Sequence, residues 1–182
     1  CDADTGYGNA LNVIRTVREY ERAGVAGIHM EDQVAPKKCG HFEGKQVIAA
    51  EEMARKIEAA RYARDDDNFL LIAGTDGRSI MGLDVALRRA RLCVEAGADM
   101  IFLESPQTVE ELASIAKELR EVPLLVNMVE GGKTPVLPFE ELEKMGFKIV
   151  LYPTSGIRAV AKTLQDLAAH LMAHKNTKKF EH

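Results

Sequence analysis

Residues 95–105 read EAGADMIFLES, which places the end of an amphipathic helix, a glycine and a short apolar run next to one another. Two other segments follow the same plan, RAGVAGIHMED at 22–32 and KMGFKIVLYPT at 144–154. The glycine suits the left-handed residue that ends many helices, and the unbroken apolar run suits a parallel strand buried on both faces. The sequence therefore predicts a repeated helix–strand unit.

Further strands and helices fit between these segments. Strands are predicted at 68–74 and 122–127, with a stub of another strand at 1–3. Amphipathic stretches predict helices at 10–22, 50–63, 84–95, 109–120 and 157–172. Strands that alternate with helices through right-handed crossovers form either a doubly wound sheet or a (β/α)8 barrel.

Two observations favour the barrel. No GxGxxG turn follows any strand, which weakens a dinucleotide-binding interpretation. Strand after strand ends in an acid or an amide, and these residues are Asp2, Asp4, Glu31, Asp32, Asp76, Glu104 and Asn127. In a (β/α)8 barrel such ends converge on one mouth, where the chemistry is located, whereas a doubly wound sheet spreads them along an edge. We therefore expect an α/β fold of the (β/α)8 TIM-barrel type.

The number of strands is smaller than a complete barrel needs. Five strands and the stub at 1–3 are predicted, against the eight of the (β/α)8 fold. We therefore expect residues 1–182 to form a single partial barrel domain that lacks its first two to three strands and a C-terminal extension.

Composition argues against several classes of function. The formal net charge of −4 offers no basic stripe for a nucleic-acid backbone, and apolar runs such as 69–73 are too short to cross a bilayer. The three cysteines are widely spaced without a CxxC pair, which argues against a disulfide framework and a structural zinc site. No charged-then-apolar leader opens the sequence. We expect a cytoplasmic protein with no nucleic-acid or membrane partner.

Asp2 and Asp4 form a candidate metal-binding motif. Two carboxylates at positions i and i+2 of an extended strand point to one side, so both can reach a single cation. Hard oxygen ligands suit Mg²⁺, with water and substrate completing its octahedron. Asp-x-Asp also occurs as an Asx turn that ends a strand, but Glu31 and Asp32 are expected at the same mouth, which favours the metal interpretation.

A basic loop with a cysteine follows the strand that ends at Glu31. It reads PKKCGH at 36–41, so Cys39 has positive neighbours that favour its reactive thiolate form. Such a thiol can serve as a general acid or base, or as a nucleophile, and the loop is long enough to act as a lid. Taken alone, a Cys-Gly-His motif is more often part of a solvated basic loop.

Together these motifs resemble the isocitrate lyase / phosphoenolpyruvate mutase superfamily. The matching stretches are DADTGYGN at 2–9, EDQ at 31–33, KKCGH at 37–41, NMVEGGKTP at 127–135 and LYPTSGIRA at 151–159. The resemblance covers essentially the whole chain, and the KKCGH run marks the lyase branches. Among these, the sequence is most similar to the 2-methylisocitrate and dialkylmalate lyases.

The resemblance implies a role for each matching residue. It implies that Asp2 and Asp4 bind Mg²⁺, directly or through water, and that Glu31 completes the metal site by supporting a metal-bound water. It implies that Cys39 is the general acid or base, tuned by Lys37 and His41. The remaining residues implied to contact substrate, together with Cys39, are Gly40, Glu104, Asn127 and Arg158. Without the resemblance, Glu104 is better explained as a strand-end salt bridge and Arg158 as a solvated residue in the first turn of a helix. The alternative for Asn127 is a turn cap.

The implied activity is cleavage of a carbon–carbon bond in a small 2-hydroxy di- or tricarboxylate. The products would be pyruvate, or a related 2-keto acid, and a carboxylate such as succinate. The resemblance also implies a homo-oligomer, usually a tetramer. An oxaloacetate decarboxylase-like enzyme of the same superfamily is an alternative, although Cys39 argues against it. A further alternative is a catalytically silent barrel that keeps metal binding.

Gly74 is the departure that supports the silent alternative. The superfamily usually has an arginine in this position of the segment LLIAGTDGRS, and that arginine clamps a substrate carboxylate. A bidentate contact of this kind contributes about 1.5–3 kcal/mol. We therefore expect either a changed substrate preference or a loss of activity, unless Arg78 reaches the same carboxylate.

Overall fold

The computed structural model describes residues 1–181 and contains one parallel sheet, in which the strands lie side by side in chain order. The strands are β1 (Gly27–Glu31), β2 (Leu70–Thr75), β3 (Met100–Leu103), β4 (Leu124–Asn127) and β5 (Phe147–Leu151). All four neighbouring pairs are parallel. Asp2 forms a parallel bridge with His29, so the predicted stub lies beside β1. All five predicted strands are therefore confirmed.

Seven α-helices and one short 3-10 helix are found in residues 1–181. The helices are α1 (Ala10–Arg22), α2 (Ala50–Ala63), α3 (Gly77–Met81), α4 (Leu83–Glu95), α5 (Val109–Glu118), α6 (Phe139–Met145) and α7 (Ser155–His174), and the 3-10 helix is Lys178–Phe180. The five predicted helices are confirmed, α1 and α2 to the residue. The short helix α3 was not predicted, and only the C-terminal end of α6 was indicated, by the repeated segment 144–154. Neither helix is long enough to show an amphipathic period.

Local sequence fixes where the helices begin and end. The Asn9 side chain accepts hydrogen bonds from the backbone N–H groups of Leu11 and Asn12, which starts α1. Gly24, Gly97 and Gly146 have φ values of 79°, 104° and 116°. The left-handed glycines predicted from the three repeated segments are thus confirmed.

The two faces of the sheet have different surroundings. One face forms the main core with helices α1, α2, α4, α5 and α6, through strand residues such as Ile28, Met30 and Leu71. Alternate residues on the other face form a small cluster of Ile72, Met100, Phe102 and Leu125. A doubly wound sheet carries helices on both faces and reverses its strand order, and this sheet does neither.

The site residues follow from this alternation. His29 and Glu31 lie on the face opposite Ile28 and Met30, because successive strand side chains point to opposite faces. The same parity places Gly74, Glu104 and Asn127 on the face of the small cluster. Among residues 1–181, no helix combines the length and apolar character that a membrane crossing requires.

Candidate metal and substrate site

The loop after β1 brings a lysine into contact with three carboxylates. Lys37 Nζ lies 2.9 Å from Asp2 Oδ2 and 3.2 Å from Asp4 Oδ1. The same ammonium lies 3.2 Å from Glu31 Oε1. We call Asp2, Asp4, Glu31 and Lys37 the cation cluster. Its three acids converge on a single positive charge.

Burial and charge shift the pKa values of the cluster in opposite directions. Burial alone would lower the pKa of Lys37, but hydrogen bonds and attraction from Asp2 and Glu31 raise it. The pKa of Asp2 is lowered in spite of burial, because Lys37 and the backbone N–H of Asp4 donate to its carboxylate. Burial and repulsion from Asp76 raise the pKa of Glu31 to about 7. An added positive charge beside Glu31 would favour its ionised form and lower this pKa.

Asp4 reaches the cluster by a different route from the one expected. The strand was expected to continue through Asp4, but the chain turns there with a φ of 51°. The backbone N–H of Asp4 donates to Asp2 Oδ1 at 2.8 Å, as in an Asx turn. The expectation of an extended Asp-x-Asp segment is thus wrong, although both carboxylates still contact Lys37.

His29 is a further member of this site that the sequence motifs did not indicate. Ligand atoms of Asp2, His29 and Glu31 all lie within 4.8 Å of one another. The His29 Nε2 atom is buried and has no hydrogen-bond partner. Burial lowers the pKa of His29 to about 4, so the imidazole is neutral. The signal that could have found it is its position two residues before Glu31, on the same face of β1.

The donor set fits a divalent cation. Three carboxylates already surround a positive charge, and one ring nitrogen of the neutral His29 imidazole lies within 4.8 Å of carboxylate oxygens of Asp2 and Glu31. Asp2, Asp4 and Glu31 would supply hard oxygen ligands to a cation such as Mg²⁺.

A cavity of about 560 Å³ adjoins the cation cluster through Glu31 and Lys37. Its lining also includes the remaining residues expected to act on substrate, which are Cys39, Gly40, His41, Glu104, Asn127 and Arg158. Cys39 is exposed. The fold thus brings these residues to one place, although they come from four separate parts of the chain.

The cysteine loop is anchored to the sheet by buried polar contacts. Lys45 Nζ donates to Asp76 Oδ1 at 2.6 Å and also to the Gly40 carbonyl. Gln33 Nε2 donates to Asp76 Oδ2 and to the Lys38 carbonyl, both at 2.9 Å. Sequence motifs did not indicate Lys45, which stands outside the KKCGH run. These contacts fix the loop on both sides of Cys39.

Gly40 is held close to Glu104. A Cβ atom at Gly40 would overlap with the Glu104 carboxylate, so only glycine fits. The Ser105 hydroxyl donates to Glu104 Oε1 at 2.9 Å and lies 3.1 Å from the Gly40 carbonyl. Asn127 Nδ2 donates to Glu104 Oε2 at 3.5 Å.

His41 and Glu104 face each other in the cavity with complementary protonation preferences. His41 Nδ1 accepts the backbone N–H of Lys133 at 3.0 Å, so the neutral ring carries its proton on Nε2. That Nε2 lies 3.7 Å from Glu104 Oε1. Burial raises the pKa of Glu104, and burial with the nearby charges of Lys45 and Lys133 lowers that of His41.

Asp32 does not support the metal position, contrary to expectation. Its carboxylate accepts hydrogen bonds from the Thr75 hydroxyl at 2.7 Å, the Asp76 N–H at 2.9 Å and Arg89 Nε at 2.7 Å. As the residue after Glu31, Asp32 turns to the helix-covered side, where Arg89 of α4 reaches it. We call Asp32, Thr75, Asp76 and Arg89 the strand-end network.

The fold and the site together define a class: parallel α/β proteins with a carboxylate cluster and a cysteine-containing loop at the ends of their strands. A family model described as phosphoenolpyruvate phosphomutase matches residues 1–172. The chain is 52% identical over 166 residues to a 2,3-dimethylmalate lyase of Eubacterium barkeri, covering 91% of this chain and 57% of that protein. It is 48% identical over 178 residues to a 2-methylisocitrate lyase of Aeropyrum pernix, covering 98% and 56%.

Solved structures are similar as well. A crystal structure of 2,3-dimethylmalate lyase, a PEP mutase/isocitrate lyase superfamily member, matches with a TM-score of 0.92 at 36% identity, covering 97% of this chain and 59% of that one. A phosphonopyruvate hydrolase complexed with oxalate and Mg²⁺ matches with a TM-score of 0.82 at 31% identity, covering 99% and 62%. The chain belongs to the PEP mutase/isocitrate lyase superfamily, and it spans a little over half the length of these curated relatives.

Proposed function

We propose that the protein containing this chain is a divalent-metal-dependent carbon–carbon lyase. Its substrate would be a 2-hydroxy di- or tricarboxylate of the 2-methylisocitrate or dialkylmalate type, and its products pyruvate, or a related 2-keto acid, and a carboxylate such as succinate. One observation carries the proposal: a cavity lined by Cys39, Glu104 and Arg158 opens directly beside the cation cluster.

The cation cluster would hold the 2-hydroxy acid end of the substrate. Asp2, Asp4 and Glu31 would bind Mg²⁺, which when bound supplies Lewis-acid stabilisation of the oxygen that becomes the 2-keto group. Lys37 would then leave the centre of the cluster, because two cations cannot share it. Because Lys37 and Cys39 lie two residues apart in the same loop, a movement of Lys37 would also change the position of Cys39.

The cavity would hold the part of the substrate that leaves as a carboxylate. Arg158 would pair with a substrate carboxylate, and Glu104 and Asn127 would orient neighbouring polar groups. Cleavage turns the 2-hydroxyl group into a keto group, with loss of its proton to solvent, and leaves a carbanion beside that carboxylate. The Cys39 thiol would donate the proton that quenches the carbanion, and the resulting thiolate would regain a proton from solvent. His41, neutral and with its proton on Nε2, would hold Glu104 in place.

Two structural expectations are part of the proposal. The chain-order sheet with helices on one face is the arrangement of an arc of a (β/α)8 barrel, and we propose that the full-length protein closes that barrel. A homotetramer, implied by the family resemblance, is the proposed assembly.

The experiment is an assay of pyruvate release by the full-length protein with Mg²⁺, from 2-methylisocitrate and from 2,3-dimethylmalate. Activity should disappear with excess chelator and fall by at least about a hundredfold in Cys39→Ser. Cys93→Ala, which removes a buried thiol on α4 remote from the cavity, is the matched control and should keep activity. A folded, metal-binding protein that releases no pyruvate from either substrate would favour the catalytically silent alternative raised by Gly74.

A further inference from the structure

Lys56 is a buried lysine to which the proposed function gives no role. It lies in the middle of α2, and only 4% of its surface is exposed. Among residues 1–181, its ammonium forms no ion pair, in contrast to the other buried lysine, Lys45. A buried charge without a counter-ion is unfavourable, and burial accordingly lowers the pKa of Lys56. The one contact that its ammonium makes therefore has to account for its position.

That contact is with the turn that carries two acids of the cation cluster. Lys56 Nζ donates a hydrogen bond to the carbonyl of Thr5 at 3.0 Å. Thr5 directly follows Asp4 and is itself buried. We call residues 2–6 the acid turn. The lysine comes from a helix 51 residues further along the chain, so the hydrogen bond joins the acid turn to a remote part of the fold.

The acid turn depends on such contacts for its shape. Asp4 has a φ of 51°, a left-handed conformation that is unfavourable for a residue with a side chain. The carbonyl groups of residues 3–6 all accept a hydrogen bond, and their donors are, in order, the N–H groups of Gly6 and Glu31, the Lys56 ammonium and the Thr16 hydroxyl. Lys56 is the donor that α2 supplies. Without it, the buried carbonyl of Thr5 loses its partner, and the turn loses its attachment to that helix.

We propose that Lys56 is a positioning residue of the cation site, which fixes the direction of the Asp4 carboxylate by holding the carbonyl of the next residue. Its ammonium contacts the backbone of the turn and none of the acids, so it acts through Thr5. A ligand turn that is held in place before the cation arrives binds it more tightly, because less conformational freedom is lost on binding. The inference rests on the cation site of the proposed function and extends that site to α2.

The test is calorimetric titration of Mg²⁺ and of Mn²⁺ into the metal-free full-length protein, at a temperature well below unfolding. Lys56→Met keeps the length of the side chain but removes the donor, and it should lower the affinity for both cations by about tenfold. Lys56→Arg keeps a charged donor and should restore the affinity to within about threefold of the unaltered protein. A residue with a merely structural role would change the unfolding temperature and leave both affinities unchanged.

Two further variants complete the design. Arg55→Met is the matched control on the same helix, because Arg55 is exposed and its Nε donates to the Glu51 carbonyl within α2. It should change neither affinity. If Lys56→Met does not fold, Lys56→Gln replaces it. Glutamine keeps a polar group in the buried position, but its amide is one bond shorter than the lysine side chain and does not reach the Thr5 carbonyl.

The outcomes separate this inference from the proposed function. Unchanged affinities in the folded Lys56→Met or Lys56→Gln protein would overturn the inference. An increase in affinity would overturn it as well, since it would show that the lysine acts by repelling the cation. If Asp2→Asn still abolished binding in either case, the proposed cation site would stand. Failure of the unaltered protein to bind either cation would overturn both.

Discussion

Glu31 and Asp32 are adjacent in sequence and buried, yet they belong to different clusters. Asp32 lies in the strand-end network and accepts three hydrogen bonds, one of them from Arg89. Glu31 lies in the cation cluster, and burial raises its pKa to about 7 even with Lys37 beside it. Because successive side chains of a strand point to opposite faces, Asp32 pairs with Arg89 on the helix-covered face, whereas Glu31 lies on the other face beside Lys37.

The largest expected effect comes from breaking the strand-end network. Arg89→Leu leaves the Asp32 carboxylate buried without its cation, which should reduce the free energy of unfolding by about 3–5 kcal/mol. The matched control on the same helix is Arg91→Leu, whose partner Glu118 is exposed and whose ion pair should contribute less than about 1 kcal/mol. Urea denaturation of the full-length variants measures both. Equal, small losses would contradict the structural role given to Asp32.

The next largest effect is expected for Glu31, whose substitution should impair cation binding and not the stability of the metal-free protein. Glu31→Gln should abolish stabilisation by divalent cations, corresponding to about a hundredfold loss of affinity or about 2.7 kcal/mol. It should leave the metal-free protein at least as stable, because it removes a charge that burial disfavours. Thermal unfolding with and without metal tests this. The comparison fails if Glu31→Gln lowers the metal-free stability as much as Arg89→Leu does.

A smaller effect is expected from removing the charge that competes with the metal. Lys37→Met should raise the affinity for divalent cations by about 1 kcal/mol or more in the absence of substrate, since three carboxylates lose their internal cation. Lys38→Met is the control, because Lys38 Nζ instead donates to the Gly44 carbonyl. Calorimetric titration of both variants measures the difference. An unchanged or weakened affinity in Lys37→Met would mean that Lys37 and the metal do not compete.

The smallest effect concerns Glu104, a buried acid in the cavity. Its pKa is raised above the ordinary 4.5, so the folded state binds a proton more tightly than the unfolded state does. The contribution of protonated Glu104 to the free energy of unfolding is therefore fully present below pH 4.5. It is lost as the pH rises through the pKa of Glu104 in the folded state. Glu104→Gln should flatten this part of the stability profile, which denaturation at a series of pH values can follow. If the slope of stability against pH is unchanged by the substitution, groups other than Glu104 cause that slope.

The sequence was sufficient for the regular part of the fold. Unbroken apolar runs after glycine predicted β1, β3 and β5, and the amphipathic periods predicted α1 and α2 to the residue. Short elements such as α3 escaped because fewer than two turns show no period. Whether strands close into a barrel depends on tertiary packing and is not encoded in local patterns.

For the candidate site, the sequence indicated residue types better than their directions. The family resemblance grouped Cys39, Glu104 and Arg158 as residues that contact substrate, and the three line one cavity. Asp32 was predicted to lie with Glu31 at the metal site, but it lies on the opposite face of the sheet. The alternation of side chains along a strand predicts this, because Asp32 directly follows Glu31. His29 was missed because it belongs to none of the recognised motifs, although its position two residues before Glu31 places it on the same face of β1.

Anomalous diffraction from a crystal of the full-length protein soaked in Mn²⁺ tests the central claim most directly. We predict a single strong peak between Asp2 and Glu31, at about 2.0–2.2 Å from carboxylate oxygens of both, with the Lys37 ammonium moved out of the cluster. No peak at this position, with Lys37 still in contact with the three acids at saturating Mn²⁺, would contradict the assignment of the cation cluster as the metal site of a lyase.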